Sequence, residues 1–222
     1  MSDKAVILLS GGLNSFVAAK FVMDYFQGDI VEAICFNYGQ PHGNEVDAAA
    51  ELAEFLEIPF SVFSPEMSWE MTDRMTVAQA DHMVEQGLNE SFWFGRDLMI
   101  HLLGASRAKA LGAKVVVTGA TMARVDRKAL ELLEAAIGAS GSGVIFEHPF
   151  LGTPPGHSFK VAHDLGICDH AVMDTVDCLS TDGMNQNSWG WGCGECEGCK
   201  IRKHGFEQAL AIIKSANELE VQ

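Results

Sequence analysis

The chain has 222 residues, of which 48% are apolar and 20% charged, with a formal net charge of −15. That length and apolar content suit one large domain, or one domain with a small appendage, and allow an ample core. The acidic balance excludes a broad nucleic-acid surface, although helix ends and a few Arg or Lys can still hold an anionic nucleotide locally.

The opening Met-Ser-Asp-Lys has no leader pattern and no membrane span is evident, so a reducing, cytoplasmic setting is expected. Val6 to Leu9 is short, apolar and partly β-branched, as a central parallel strand requires. Ser10-Gly11-Gly12-Leu13-Asn14-Ser15 follows, and then Phe16, Ala19, Lys20 and Met23 at helical spacing, with Gly28 as a stop. Val31 to Phe36 reads as a second strand, Asn44 to Leu56 as a helix and Phe60 to Phe63 as a third strand. Ser64 to Phe92 is irregular; its methionines and Trp69 suit either an adaptable lid or a helical excursion. Asp97 to Leu111 is a helix closed by Gly112, and Val115 to Thr118 a fourth strand ended by Gly119. Asp126 to Ile137 is a further helix, Val144 to Glu147 a fifth short strand, and Phe206 to Leu219 the last helix.

Alternating strands and helices predict an α/β fold, a parallel sheet with helices on both faces. Ligands of such sheets bind beyond the carboxyl ends of the strands, where Ser10, Asn37 and Gly119 fall. Strand, Ser-Gly-Gly-x-x-Ser and helix in direct succession form a phosphate cradle. The glycines let the backbone turn and approach a ligand, and the N–H groups around Ser15 sit at a helix N-terminus that favours a polyanion. The pattern is neither a P-loop nor the dinucleotide fingerprint. It resembles the pyrophosphate loop of the ATP pyrophosphatases.

Cys178, Cys193, Cys196 and Cys199 are four thiols, three of them at x2 spacing, which fits a tetrahedral zinc site closed by four sulfurs. An iron–sulfur cluster is the competing metal reading, and disulfides are disfavoured by the expected compartment. Cys35 and Cys168 read as buried, inert thiols. The division expected is a nucleotide-binding domain over 1–170 and a zinc module with the C-terminal helix over 171–222.

Three further segments extend the likeness: Phe36-Asn37-Tyr38-Gly39-Gln40-Pro41-His42, Phe94-Gly95-Arg96-Asp97, and Cys193-Gly194-x-Cys196-x-x-Cys199-x-x-Arg202 followed by Gly205-Phe206. With the loop and the cysteines, they resemble the 7-cyano-7-deazaguanine synthase family (QueC) of queuosine and archaeosine biosynthesis. The resemblance implies an adenine-nucleotide alpha-hydrolase-like fold with one structural zinc per chain. It also implies ATP with Mg2+ as co-substrate, a deazaguanine substrate, an amine donor and a homodimer. In that family ATP adenylates the carboxylate of 7-carboxy-7-deazaguanine, ammonia gives an amide, and a second ATP drives dehydration to the nitrile.

Carried over residue by residue, Ser10, Gly11, Gly12, Leu13, Asn14 and Ser15 hold pyrophosphate. Tyr38, Gly39, Gln40 and Gly119 line the nucleotide or substrate end. Arg96 meets phosphate or carboxylate charge, with a helix-entry ion pair as its alternative. His42 shuttles a proton, with a backbone-bonded turn histidine as its alternative. Two other functions stay open: transfer of the acyl group to another amine, such as a protein N-terminus in antiviral defence, and a decayed, non-catalytic ATP-binding protein.

The sequence departs from the family pattern at several places. Asn14 stands where the family has Asp, which removes an anionic ligand but keeps a carbonyl oxygen for Mg2+, so Asn14→Asp is expected to strengthen metal-dependent turnover, with weakened ATP binding as the alternative if the site is adapted to a neutral group. Pro41 replaces an arginine. The stretch Gly119 to Lys128 is shorter than the family's deazaguanine-gripping segment, and there Asp126 with Arg127 or Lys128 is either a remnant charge pair or a helix start. Trp189 and Trp191, in the long loop between Cys178 and Cys193, either stack on a base or close over the zinc module.

Overall fold

The computed structural model describes residues 3–26, 28–37, 44–64, 96–121, 127–178 and 184–220. Five strands form one parallel sheet in the order β3-β2-β1-β4-β5: β1 Lys4–Leu8, β2 Asp29–Phe36, β3 Phe60–Phe63, β4 Val115–Thr118 and β5 Ile145–Glu147. The order reverses between β1 and β4, and such a switch point opens a crevice at the carboxyl ends of the strands. The turn from Ser10 to Ser15 lies there.

Period-2 alternation decides which helix covers which face. Ala5, Ile7 and Leu9 point into one core with Phe16, Val17, Leu52, Phe159 and Ala209; Val6 and Leu8 point into another with Ala105, Ala108 and Ile137. The first face therefore carries α1 Leu13–Tyr25, α2 Asn44–Phe55, and the later helices α5 His157–Asp164, α6 Cys168–Met173 and α7 Glu197–Glu220. The second carries α3 Arg96–Ala110 and α4 Arg127–Ala139. The expected strands and helices are all present and, the last helix aside, their ends shift by a few residues; α3 closes at Gly112, whose φ of +69° suits glycine.

Three features depart from the expectation. The last helix starts at Glu197, not Phe206, because the cysteine run itself winds its first turn, with the Lys200 N–H bonded to Cys196 O at 3.0 Å. Helices α5 and α6 are two elements that the expected order did not include. Finally, β6 Asn185–Asn187 and β7 Gly190–Gly192 pair antiparallel within the loop before Cys193. Glycines let α5 and α7 approach: a Cβ on Gly205 would stand 2.7 Å from Pro155 O, and one on Gly156 would stand 2.9 Å from Gly205 O. Phe159 and Phe206 meet edge-on beside them, with centroids 5.3 Å apart. The methionine-rich stretch, with Trp69, lies outside the described residues.

Candidate functional site

The turn after β1 is closed by its own side chains. Gly11 takes φ +81°, and a Cβ there would run into the carbonyl oxygen of Glu45 in α2. Gly12 is the N-cap of α1 and supplies no side-chain cap. Ser15 serves the turn instead: its hydroxyl donates to Gly12 O at 2.9 Å and accepts the Ser10 N–H at 3.1 Å, and the two serine oxygens lie 3.0 Å apart. The N–H of Leu13 reaches Asp177 Oδ2 at 3.4 Å. Gly119, just past β4, packs backbone to backbone on this helix start, since a Cβ would collide with the Ser15 N–H.

Asn14 faces a cavity of about 320 Å³ bounded by Leu13, Thr121, Pro155, Ser158, Asp177 and Arg202, among others. That size accommodates part of a nucleotide or a small ligand. The buried Ser158 hydroxyl donates to Asn14 Oδ1 at 2.5 Å. The turn after β4 has its own support: Thr118 Oγ1 accepts the Ala120 N–H at 3.2 Å and lies 2.6 Å from His148 Nδ1, whose Nε2 lies 2.5 Å from Glu134.

The four predicted cysteines converge. The sulfurs of Cys178, Cys193, Cys196 and Cys199 all lie within 4.8 Å of one another, so the cluster can hold a metal ion. The N–H groups of Glu195 and Cys196 each point at Cys193 Sγ from 3.4 Å, and that of Cys193 at Cys178 Sγ from 3.4 Å. Burial pushes the Cys193 thiol up, but these donors and the neighbouring thiols outweigh it and bring it down to about 7. Burial raises Cys199. A group of soft sulfur donors, one of them readily ionised, fits a thiophilic metal. Trp189 is buried against Cys178 and Cys199, so it closes over the cluster. Cys35 stays apart in β2, where burial lifts it to about 12, and burial likewise raises Cys168. Both fit inert thiols.

Arg202, one turn after Cys199, was legible only as the end of a motif. Its side chain is 1% exposed. It donates to Asp177 Oδ2 (2.7 Å), Thr175 Oγ1 (2.8 Å), Trp189 O (2.8 Å), Ala171 O (2.9 Å) and Val172 O (3.1 Å). Asp177 gave no signal of its own, because its partners are remote in sequence.

Tyr38, Gly39, Gln40, Pro41, His42 and Asp126 lie outside the described residues. Arg96 opens α3, and its side chain is likewise outside the description. Arg127 and Lys128 are exposed at the start of α4, with Lys128 3.8 Å from Glu131.

Among solved structures, the U34-tRNA thiolase NcsA from Methanococcus maripaludis with its 4Fe–4S cluster is similar in fold, with a TM-score of 0.50 at 14% identity, over 96% of this chain and 67% of that one. Among curated proteins, the 7-cyano-7-deazaguanine synthase of Wolinella succinogenes is 26% identical, over 96% of each chain. That of Parvibaculum lavamentivorans is 29% identical, over 94% of this chain and 96% of its own. The family profile described as Queuosine biosynthesis protein QueC matches residues 4–210. The chain belongs to the QueC family.

Proposed function

We propose that the chain is an ATP-dependent C–N ligase that converts 7-carboxy-7-deazaguanine and ammonia to 7-cyano-7-deazaguanine. The observation that carries this reading is the family match over residues 4–210, with relatives named 7-cyano-7-deazaguanine synthase along nearly the whole chain. The carboxylate oxygen attacks the α-phosphorus of ATP and pyrophosphate leaves. Ammonia then displaces AMP to give the amide; a second ATP adenylates the amide oxygen with release of pyrophosphate, and AMP leaves with that oxygen as the two N–H protons are lost, giving the nitrile.

In this reading Ser10, Gly11, Gly12, Leu13, Asn14 and Ser15 hold the departing pyrophosphate, with ATP entering as its Mg2+ complex. Backbone donors at the start of α1 stabilise charge where it develops and need no reorganisation to do so. Gly119 brings the turn after β4 against that loop, so the reacting groups share one crevice. Arg96, Tyr38, Gly39, Gln40 and His42 complete the nucleotide and substrate end. Zinc on Cys178, Cys193, Cys196 and Cys199 is structural, since four sulfurs leave no position for a reacting water. Residues 1–170 then form the nucleotide-binding body and 171–222 the zinc module of a cytoplasmic homodimer. Among the described residues no helix is long and apolar enough to cross a membrane.

The test is mass spectrometry of the products after incubation with ATP, Mg2+, ammonia and 7-carboxy-7-deazaguanine. The nitrile is the expected product. A reaction that stops at an amide, or that turns over ATP only with a protein amine present, would replace the reading by acyl transfer. No ATP turnover under any of these conditions would leave a non-catalytic protein.

A further inference from the structure

The segment Thr175 to Cys178 runs between the loop after β1 and the cysteine cluster, and it is bonded to both. On the loop side, the Val176 N–H donates to Gly11 O at 2.9 Å, and Asp177 Oδ2 accepts the Leu13 N–H at 3.4 Å. On the cluster side, Val176 bridges to Trp191 of β7, and the next residue but one is the ligand candidate Cys178. Arg202 locks the arrangement through Asp177 and Thr175 together with the carbonyls of Trp189, Ala171 and Val172, and its guanidinium lies 5.6 Å from the centre of the Phe159 ring. No part of this clamp is local, since Arg202 and Asp177 are 25 residues apart and Asp177 and Leu13 are 164 apart.

A carboxylate is an unfavourable neighbour for a polyphosphate. Asp177 lines the same cavity as Asn14, and a Cβ on Gly12 would stand 2.7 Å from its Oδ1. Arg202 offsets that charge only while the two side chains are held together, and both are tied to the cluster: Cys178 follows Asp177, and Cys199 precedes Arg202 by one turn. A bound metal would tie the four sulfurs, which lie within 4.8 Å of one another, into one unit, and that tie is lost without it. Their separation would move Cys178 and Cys199, and with them the two halves of the ion pair.

We propose that Asp177, held by Arg202, is the positioning residue of the loop from Ser10 to Ser15, and that through this pair nucleotide affinity rises when the cysteine cluster holds its metal. This rests on the reading of that loop as the phosphate site. Linkage requires the converse, namely that bound nucleotide retains the metal by the same factor.

The experiment follows zinc transfer from the zinc-loaded full chain to a chromogenic chelator, with and without α,β-methylene ATP and excess Mg2+. Calorimetry measures binding of the same analogue to the zinc-loaded and zinc-depleted chains. In the natural chain the analogue should slow zinc transfer about tenfold, and zinc depletion should weaken analogue binding by the same factor, within the usual range of such couplings. The double substitution Asp177→Ala with Arg202→Met removes the pair without stranding a buried charge, and should abolish the protection. Should that variant fail to fold, Asp177→Asn keeps an acceptor for the Leu13 N–H while losing the charge, and protection should fall at least threefold. Full protection in a folded variant overturns the proposal, as does analogue binding to the natural chain without protection of zinc. Failure of the zinc-loaded natural chain to bind the analogue removes the phosphate-site reading along with it.

Discussion

The hydroxyl of Ser158 donates to Asn14 Oδ1 across 2.5 Å, joining the first turn of α1 to the start of α5. One lone pair of the oxygen that the sequence left for Mg2+ is thereby taken by Ser158, and the amide N–H groups of Asn14 are donors for other partners. An amide nitrogen is a donor to phosphoryl oxygen and no ligand for a hard cation.

For Asn14→Asp this favours a loss of ATP binding over a gain. The Ser158 hydroxyl can donate to the new carboxylate as well, so the fold should persist, but donors are replaced by a charge beside a polyphosphate. Two unit charges ~4 Å apart interact by about 4 kcal/mol at an effective dielectric near 20. ATP binding should weaken at least tenfold at every Mg2+ concentration, read as pyrophosphate release against magnesium. A gain at saturating magnesium would return position 14 to the role of metal ligand.

Gly11→Ala and Gly12→Ala should separate stability from binding. Gly11 sits at φ +81° against the Glu45 carbonyl, so alanine there costs roughly 1–2 kcal/mol in backbone conformation and more in collision, and the melting temperature falls. Gly12 has φ −85°, which alanine adopts freely, and its added Cβ meets the Asp177 carboxylate. Gly12→Ala should melt closer to the natural protein yet lose ATP binding by calorimetry. Unchanged ATP affinity in a folded Gly12→Ala chain would remove the cradle assignment.

Elemental analysis should find one zinc per chain. Cys196→Ser, or a strong chelator, should lower solubility and melting temperature before any specific kinetic defect appears, because the metal closes the loop between Cys178 and Cys193 and adds binding energy to folding. Iron in place of zinc would assign the four sulfurs to a cluster.

Glu32 in β2 takes a two-point bond from Arg107 of α3, at 2.7 Å for each contact. That bond holds its carboxyl below the usual range, against the opposing effect of burial and with help from Ser61. A lowered folded-state value means that the stabilisation is present above the unfolded carboxylate value of 4.5 and is lost as pH falls through the folded one. Glu32→Gln should therefore melt below the natural chain at pH 7, and the gap should shrink as pH falls below 4.5. A gap independent of pH would show that packing, not charge, is what Glu32 supplies.

Where chemistry sits on neighbouring residues, the chain announced it. Alternation through Ala5 to Leu9 and the glycine pair that follows determined a buried strand running into a loop and helix, because period-2 burial and freedom at positive φ are properties of a few adjacent residues. The spacing of Cys193, Cys196 and Cys199 determined a shared site for the same reason. Short elements were not legible: α5 follows Pro154-Pro155-Gly156 and spans only eight residues, and β6 and β7 have three each, so contacts rather than local preference hold them in place. Only the tertiary structure decided what surrounds the loop. Ser158 reaches Asn14 across 144 residues and Asp177 reaches Leu13 across 164, and hydrogen bonds at that separation follow from how helices pack on a sheet, which no local pattern encodes.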